Sequence, residues 1–262
     1  MEFSERQKQV KQKFINDRGA WKWSPMWDTI LELDEDIVES YATYSSVPDK
    51  RGYLDMRVRK FIYIAIDSIT GSLNPSGLKN HMKHALQLGV SKREILEVLE
   101  ITSMIGSTTY ALGVPLLIDA LQARGTSVAA MELSEKQKAL KAAYIAKHKG
   151  CWSDEKENIL KLDPEYFESF TAFEETPWKS GCLSPKEKEL VYIAVHAAPV
   201  SLNRDALREH INAALDCGAE INEIVEVFEL VSTLGIHSIT IGVPILKEAL
   251  TELENEAKNK EE

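Results

Sequence analysis

The sequence is poor in cysteine. Cys151, Cys182 and Cys217 are the three present, all in the second half of 262 residues. No two stand in a Cys-x-x-Cys spacing and the number is odd, which argues against a disulfide framework or a structural zinc site. Free, partly buried thiols are expected. Long apolar runs are also missing. No stretch approaches the ~18 consecutive apolar residues of a membrane span, and residues 1–8 lack the apolar centre of a signal peptide. No basic run of five or more is found, and 41 acidic against 31 basic side chains leave a formal charge of −10. An acidic surface repels phosphate backbones, so neither nucleic acid nor a membrane is an expected partner. A soluble, cytoplasmic protein is expected. Strand-like alternation is absent as well, which leaves helices to form the fold.

What is present is a repeat. His81 and His210 stand 129 residues apart, and that offset holds without a gap over most of the chain. It sets Trp23 on Trp152, Leu33-Asp34 on Leu162-Asp163, and Tyr63-Ile64-Ala65 on Tyr192-Ile193-Ala194. It also sets Ser72-Leu73-Asn74 on Ser201-Leu202-Asn203 and Gly113-Val114-Pro115 on Gly242-Val243-Pro244. Self-similarity at a fixed offset means one structural unit used twice. The units run over residues 1–125 and 132–255. The hydrophobic content of 44% supports a sizeable core.

Each unit reads as about six helices, giving an all-α chain of two tandem units. Residues 3–17 and 134–148 are charged, amphipathic and free of proline and glycine. Asp34 caps a helix over 35–46, and Ser184-Pro185 starts another in the second copy. The apolar positions of 55–70 recur at helical spacing. Residues 76–88 form a helix that stops at Gly89, which suits a left-handed cap. Ser91 with Glu94 makes a capping box for a helix reaching about Leu112. Gly113 is expected to end that helix and Pro115 to open the next. Residues 252–262 are mostly charged and are expected to fray.

The repeated histidines are the first chemical candidates. His81 and His210 each lie on an apolar helix face, where an imidazole serves either as a packed core residue or as an acid–base group. Asn74 and Asn203 precede those helices and face the imidazoles across a cleft or simply cap the turn. The second copy adds His196, at the position of Asp67, and His237, at that of Thr108. A cluster of His196, His210 and His237 would supply acid–base chemistry, although no metal-ligand spacing such as His-x-x-x-His accompanies it. His84 falls on Ala213 and reads as a surface residue. Glu97 and Glu100 recur as Glu226 and Glu229 and point away from the apolar face, as a solvated stripe would. Alternatively they meet another subunit, and Glu97 with its copy Glu226 helps complete a site.

These features resemble the carboxymuconolactone decarboxylase family, which shares its fold with alkylhydroperoxidase D. The resemblance covers about 100 residues in each half. Its marks are the helix from Arg57 to Ile69, the His81 helix ending at Gly89, and Arg93-Glu94-Ile95 with Glu97-Val98-Leu99. The second copy repeats them from Lys186 to His196, through the His210 helix ending at Gly218, to Glu223-Ile224 and Glu226-Val227. The peroxidase branch carries Cys-x-x-Cys-x-x-x-His. Here Asn74 and Gly77, and in the second copy Asn203 and Ala206, stand at the cysteine positions. Thiol peroxidase chemistry therefore lacks its sulfur.

The resemblance implies a cofactor-independent lyase or isomerase acting on a small carboxylated lactone or ring-cleavage acid. His210 is the first candidate acid–base residue and His81 the second, with the second copy the expected active one. Tyr63, Tyr192, Asn74 and Asn203 would orient the substrate or polarise its carbonyl. No cofactor or metal is expected. The competing reading is a non-catalytic small-molecule binder or assembly protein on the same fold. The resemblance further implies a homo-oligomer, a trimer of two-unit chains closing a ring.

Overall fold

A computed structural model describes residues 2–147 and 152–261. Cys151 lies outside them, while Cys182 and Cys217 are free and exposed, not partly buried. The first half holds α1 (Glu5–Arg18), α2 (Pro25–Leu33), α3 (Glu35–Ser45), α4 (Val47–Arg51), α5 (Met56–Ser68), α6 (Pro75–Gln87), α7 (Lys92–Ser103) and α8 (Ser107–Gln122). The second half repeats them as α9 (Glu135–Lys147), α10 (Asp154–Leu162), α11 (Pro164–Glu174), α12 (Thr176–Lys179), α13 (Pro185–Ala197), α14 (Arg204–Asp216), α15 (Ile221–Ser232) and α16 (His237–Glu261). No strand occurs among the described residues.

Local chemistry explains the helix ends. Asp34 accepts the Ile37 N–H at 3.0 Å, leaving one fewer unsatisfied donor at the start of α3. Ser91 and Glu94 satisfy each other's backbone N–H groups, as a capping box does. Gly89 has φ of +85°, the left-handed geometry that a glycine reaches without a Cβ penalty. The expected stop at Gly113 is not found. The ladder breaks earlier, in a 3-10 turn over Met104–Gly106, and α8 runs on through Gly113 and Pro115. Both residues lie on the exposed side of α8, where the carbonyl that a proline cannot pair is open to water. The expected fray at the C-terminus is likewise replaced by helix, since α16 continues to Glu261.

Two helices sit at the centre. Ten successive residues of α5, Val58 to Asp67, are buried, and so are nine of α13, Lys188 to His196. Apolar side chains of α5 and α13 share one core with α14 and α15, and a second with α6 and α7. A helix buried all round has no solvent face on which to place its polar residues. Arg59, Lys60, Asp67, Lys188, Glu189 and His196 must therefore find partners or face a cavity.

The sequence seam between the units is not a seam in space. Ile236, Ile239 and Val243 of the second half pack on the cluster built from α1, α2 and α3. Tyr110, Val114 and Ile118 of the first half pack on α10 and α11 in return. Polar contacts cross in the same reciprocal way. Glu226 is fully buried, receives the N–H groups of Tyr53 and Leu54 at 2.8 and 3.2 Å, and meets Arg59 Nε at 2.6 Å. Glu97 is fully buried too, with the N–H groups of Cys182 and Leu183 at 2.8 and 2.9 Å and Lys188 at 3.4 Å. The solvated stripe expected for Glu97 and Glu226 is thus overturned, because the other unit covers that face. Glu229 reaches Arg51 at 2.6 Å, also across the units, whereas Glu100 pairs with Arg93 of its own helix at 2.9 Å.

Two helical runs, Lys92–Gln122 and Ile221–Lys260, reach the length and hydropathy of a membrane span. Each is broken by a 3-10 turn, and each contributes buried side chains to the cores described above.

Candidate functional site

The fold encloses two pockets at equivalent places. Each is completed by the other unit. The first, about 570 Å³, lies between α5, α6 and the residues before α2, and is closed by Thr233 to Ile241 of the second half. The second, about 370 Å³, lies between α13, α14 and α10, and is closed by Met104, Ser107 and Ala111 of the first half.

In the first pocket α6 brings His81 over α5, where its ring stacks on Tyr63 at 4.4 Å and 11°. Asn74 caps α6 by accepting the Gly77 N–H at 3.1 Å. That bond fixes the Asn74 oxygen, so its Nδ2 faces His237, 3.0 Å from Nε2. His237 Nε2 also stands 3.3 Å from Asp67 Oδ1, and His81 Nε2 stands 3.9 Å from Asp67 Oδ2. Gly77 permits this crowding. A Cβ there would lie 2.5 Å from both Asn74 Nδ2 and Asp67 Oδ2. The second unit has Ala206 at this place.

The electrostatics of this pocket run against ionisation of its acid–base groups. Burial, joined by the positive charges of Lys60, Lys22 and Arg18, holds His81 well below the usual imidazole range. The ring is therefore neutral near pH 7, and its buried Nδ1 has no hydrogen-bond partner. Burial raises Asp67 above the usual carboxylate range, against the pull of His237. His237 Nε2 carries one lone pair, so it either accepts from Asn74 Nδ2 or, when it bears the proton, donates to Asp67.

Cations surround that neutral centre. Lys60, 1% exposed, lies beneath the rings of Trp21 and Tyr63, at 4.3 and 5.4 Å. Burial and then Lys22 push its ammonium down to about 7. Burial and Arg18 push Lys22 down to about 8, although Asp49 binds it at 2.8 Å. The Arg18 guanidinium rests on Phe14 and Tyr41, at 4.9 and 4.6 Å. It has no carboxylate partner among the described residues, and its Nε is buried without a hydrogen bond. Among those residues its Nη2 donates only to the Tyr41 hydroxyl, at 3.4 Å, and a guanidinium without a carboxylate in a cavity is suited to receive an anion.

In the second pocket His210 stacks on Tyr192 at 4.3 Å and 2°, and beside it meets His196, one turn farther along α13, at 5.2 Å and 5°. His210 Nδ1 lies 2.7 Å from Glu189 Oε2. Burial, then the charge of His210, pushes His196 down to about 4. Asn203 caps α14 by accepting the Ala206 N–H at 3.2 Å, and it lines the cavity. Burial pushes the Glu174 carboxyl up to about 7, with Glu155 and Glu209 nearby adding to the rise and Lys156 opposing it.

The expected cluster of three second-copy histidines does not form. His196 and His210 share one pocket, while His237 crosses to the other and joins His81, Asp67 and Asn74. His84 is not a plain surface residue, because it is half-buried and its ring lies 4.2 Å from Trp21. Glu97 and Glu226 line neither pocket. Arg18, Lys22, Lys60 and Glu174 were not among the sequence candidates. Part of their signal was present, since the 129-residue offset sets Lys60 on Glu189 and Ser45 on Glu174. No group of three or more metal-ligating side chains is arranged for a metal ion among the described residues.

These features define an all-helical protein of two interlocked units, each presenting an imidazole on a tyrosine ring. The carboxymuconolactone decarboxylase family model matches residues 36–123 and again 164–253. The chain belongs to that family. It is similar to a crystal structure from Burkholderia xenovorans LB400, provisionally described as a gamma-carboxymuconolactone decarboxylase subunit. The two share 36% identity over 94% of this chain and 98% of that one, with a TM-score of 0.85. Among curated proteins none matches the chain.

Proposed function

We propose that the chain is a cofactor-independent lyase or isomerase for a small carboxylated lactone or related acid, and that the first pocket does the chemistry. The observation that carries this reading is the Arg18 guanidinium, without a carboxylate partner, in the same cavity as the neutral His81 imidazole, whose Nδ1 has no hydrogen bond. The family and the described activity of the similar structure point to the same class.

Arg18, with Lys22 beside it, holds a carboxylate that the substrate keeps, or the carbonyl oxygen where negative charge develops. In a decarboxylation the bond to a second carboxylate breaks and carbon dioxide leaves. The electron pair of that bond passes into the unsaturated lactone as a dienolate, which the neutral His81 imidazole stabilises by donating its ring N–H, and Asp67 in its acid form returns a proton to carbon. In an isomerisation His81 takes a proton from the carbon beside the carbonyl, and Asp67 supplies one at the new position. His237 and Asn74 hold Asp67 in place. The active copy in this proposal is the first, not the second, because the second pocket places carboxylates where an acidic substrate would have to sit.

The test is a panel of small unsaturated lactone acids incubated with the protein in deuterated water. Deuterium incorporation or carbon dioxide release, lost on His81→Gln with the helical spectrum unchanged, supports the proposal. Turnover undiminished in that variant refutes it.

We also propose that the chain assembles into a trimer. Supporting this, α8 exposes Leu112, Leu116 and Leu117, and α16 exposes Ile241, Ile245 and Leu246 at the matching positions. Repeated apolar faces of this kind mark contact surfaces. Light scattering should give three times the 29.5 kDa of one chain, and a mass of one chain would contradict it.

A further inference from the structure

We propose that the second pocket is a separate binding site for a small organic cation, an aromatic ammonium by preference. Among the described residues, three carboxylates, Glu155, Glu174 and Glu209, line it around one ammonium, Lys156. One buried cation shared among three acids leaves a negative surplus facing the cavity. The frame does not require that surplus, because the equivalent positions of the first unit are Met26, Ser45 and Asn80.

A second observation points to a donor as the missing partner. His196 lines the pocket at 2% exposure, and its Nδ1 has no hydrogen-bond partner. Its ring is neutral near pH 7, and in the tautomer with the proton on Nε2 the lone pair on Nδ1 accepts from an N–H group. A buried polar atom without a partner is costly, and a ligand that donates to it removes the cost. The walls suit an aromatic cation in shape as well. Trp178, 44% exposed, lines the pocket beside Tyr192, and an ammonium held over its ring gains cation–π attraction. Glu174 fits the same picture. Burial and its acidic neighbours push its carboxyl up to about 7, and a bound ammonium would let it ionise. An acid of the kind assigned to the first pocket meets net repulsion here, since the one ammonium is outnumbered.

Benzylamine is a suitable probe, because it is a single ammonium on one ring and fits a cavity of about 370 Å³. Titration calorimetry on the full chain at low salt should show benzylamine binding to the wild type. Glu209→Gln and Glu155→Gln should each weaken it about tenfold, while Arg18→Gln leaves it unchanged. The two carboxylate variants are independent, so one that fails to fold leaves the other to decide. In nitrogen-detected spectra the resonances of His196 should shift on saturation. Absence of binding to the wild type overturns the proposal. So does binding that neither carboxylate variant weakens, or that Arg18→Gln weakens instead.

Discussion

Where the first pocket has Lys60 beside its imidazole, the second has Glu189. The two histidines, the tyrosines beneath them and the capping asparagines are the same residue types in both pockets, and the ring stacks differ by only 0.1 Å in centroid distance. The surrounding charges are not alike. Lys60 disfavours a charged His81, whereas Glu189 gives His210 a carboxylate at 2.7 Å. Asp67 becomes His196, Ser45 becomes Glu174, and Gly77 becomes Ala206. The lesson is that the helix frame fixes where an imidazole stands, while a few positions on buried helices decide which ligands and which protonation states the pocket admits.

The largest expected effect concerns what the halves share. Glu226→Ala removes the carboxylate at Arg59 Nε and orphans the Tyr53 and Leu54 N–H groups, leaving Arg59 only Asp49 and the Pro48 carbonyl, and should cost about 3–5 kcal/mol in denaturant unfolding. Glu97→Ala should cost less, because Lys188 stands farther from its carboxylate, at 3.4 Å against 2.6 Å for Arg59 and Glu226. Equal costs would mean that the two crossings are energetically alike despite their geometry.

Arg18→Gln comes next. Loss of one charged hydrogen bond to an acid is worth about 1.5–3 kcal/mol, so KM for an acidic substrate should rise roughly 10- to 150-fold. An unchanged KM would remove the anion receptor from the first pocket. Gly77→Ala should lower turnover about tenfold, or about 1.4 kcal/mol, because the new Cβ pushes Asn74 or Asp67 aside. The reverse change in the second pocket, Ala206→Gly, should leave the rate as it was.

The two pockets also differ in how stability depends on pH, with opposite signs. Lys60 falls from 10.5 to about 7 on folding, so between those values the unfolded chain binds the extra proton and stability rises with pH. Lys60→Met should flatten that rise and increase the melting temperature at pH 6. Glu174 climbs from 4.5 to about 7, so its contribution is complete below pH 4.5 and is lost as pH rises to 7. Glu174→Gln should flatten that loss and increase the melting temperature at pH 8 by about 2–4 °C. Thermal melts across pH check both, and slopes of the same sign would undo the electrostatic contrast.

Much of the frame was legible in the chain alone. The repeat, the caps at Asp34, Ser91 and Ser184, and the stop at Gly89 all rest on local chemistry, which a linear sequence carries. Gly113 and Pro115 misled because a helix exposed along one side tolerates a missing bond there. Glu97 and Glu226 misled for a different reason. A helical wheel orients a residue only against its own unit, and the face that looked solvated is covered by the other copy. His237 crosses to the far pocket by the same exchange, so the expected three-histidine cluster was split. Arg18 and Lys22 gave no signal of their own, since neither stands out from the other charged residues until α1 and the turn after it fold over α5.

The most direct measurement is turnover by His81→Ala and His210→Ala side by side, on whatever substrate the acid panel identifies. General acid–base catalysis contributes typically 10²–10⁴-fold, so His81→Ala should lose at least about 100-fold per folded molecule. His210→Ala should stay within about threefold of the wild type, since its pocket is assigned to a cation that this reaction does not use. The reverse pattern, with turnover abolished by His210→Ala and kept by His81→Ala, would contradict the assignment of the chemistry to the first pocket.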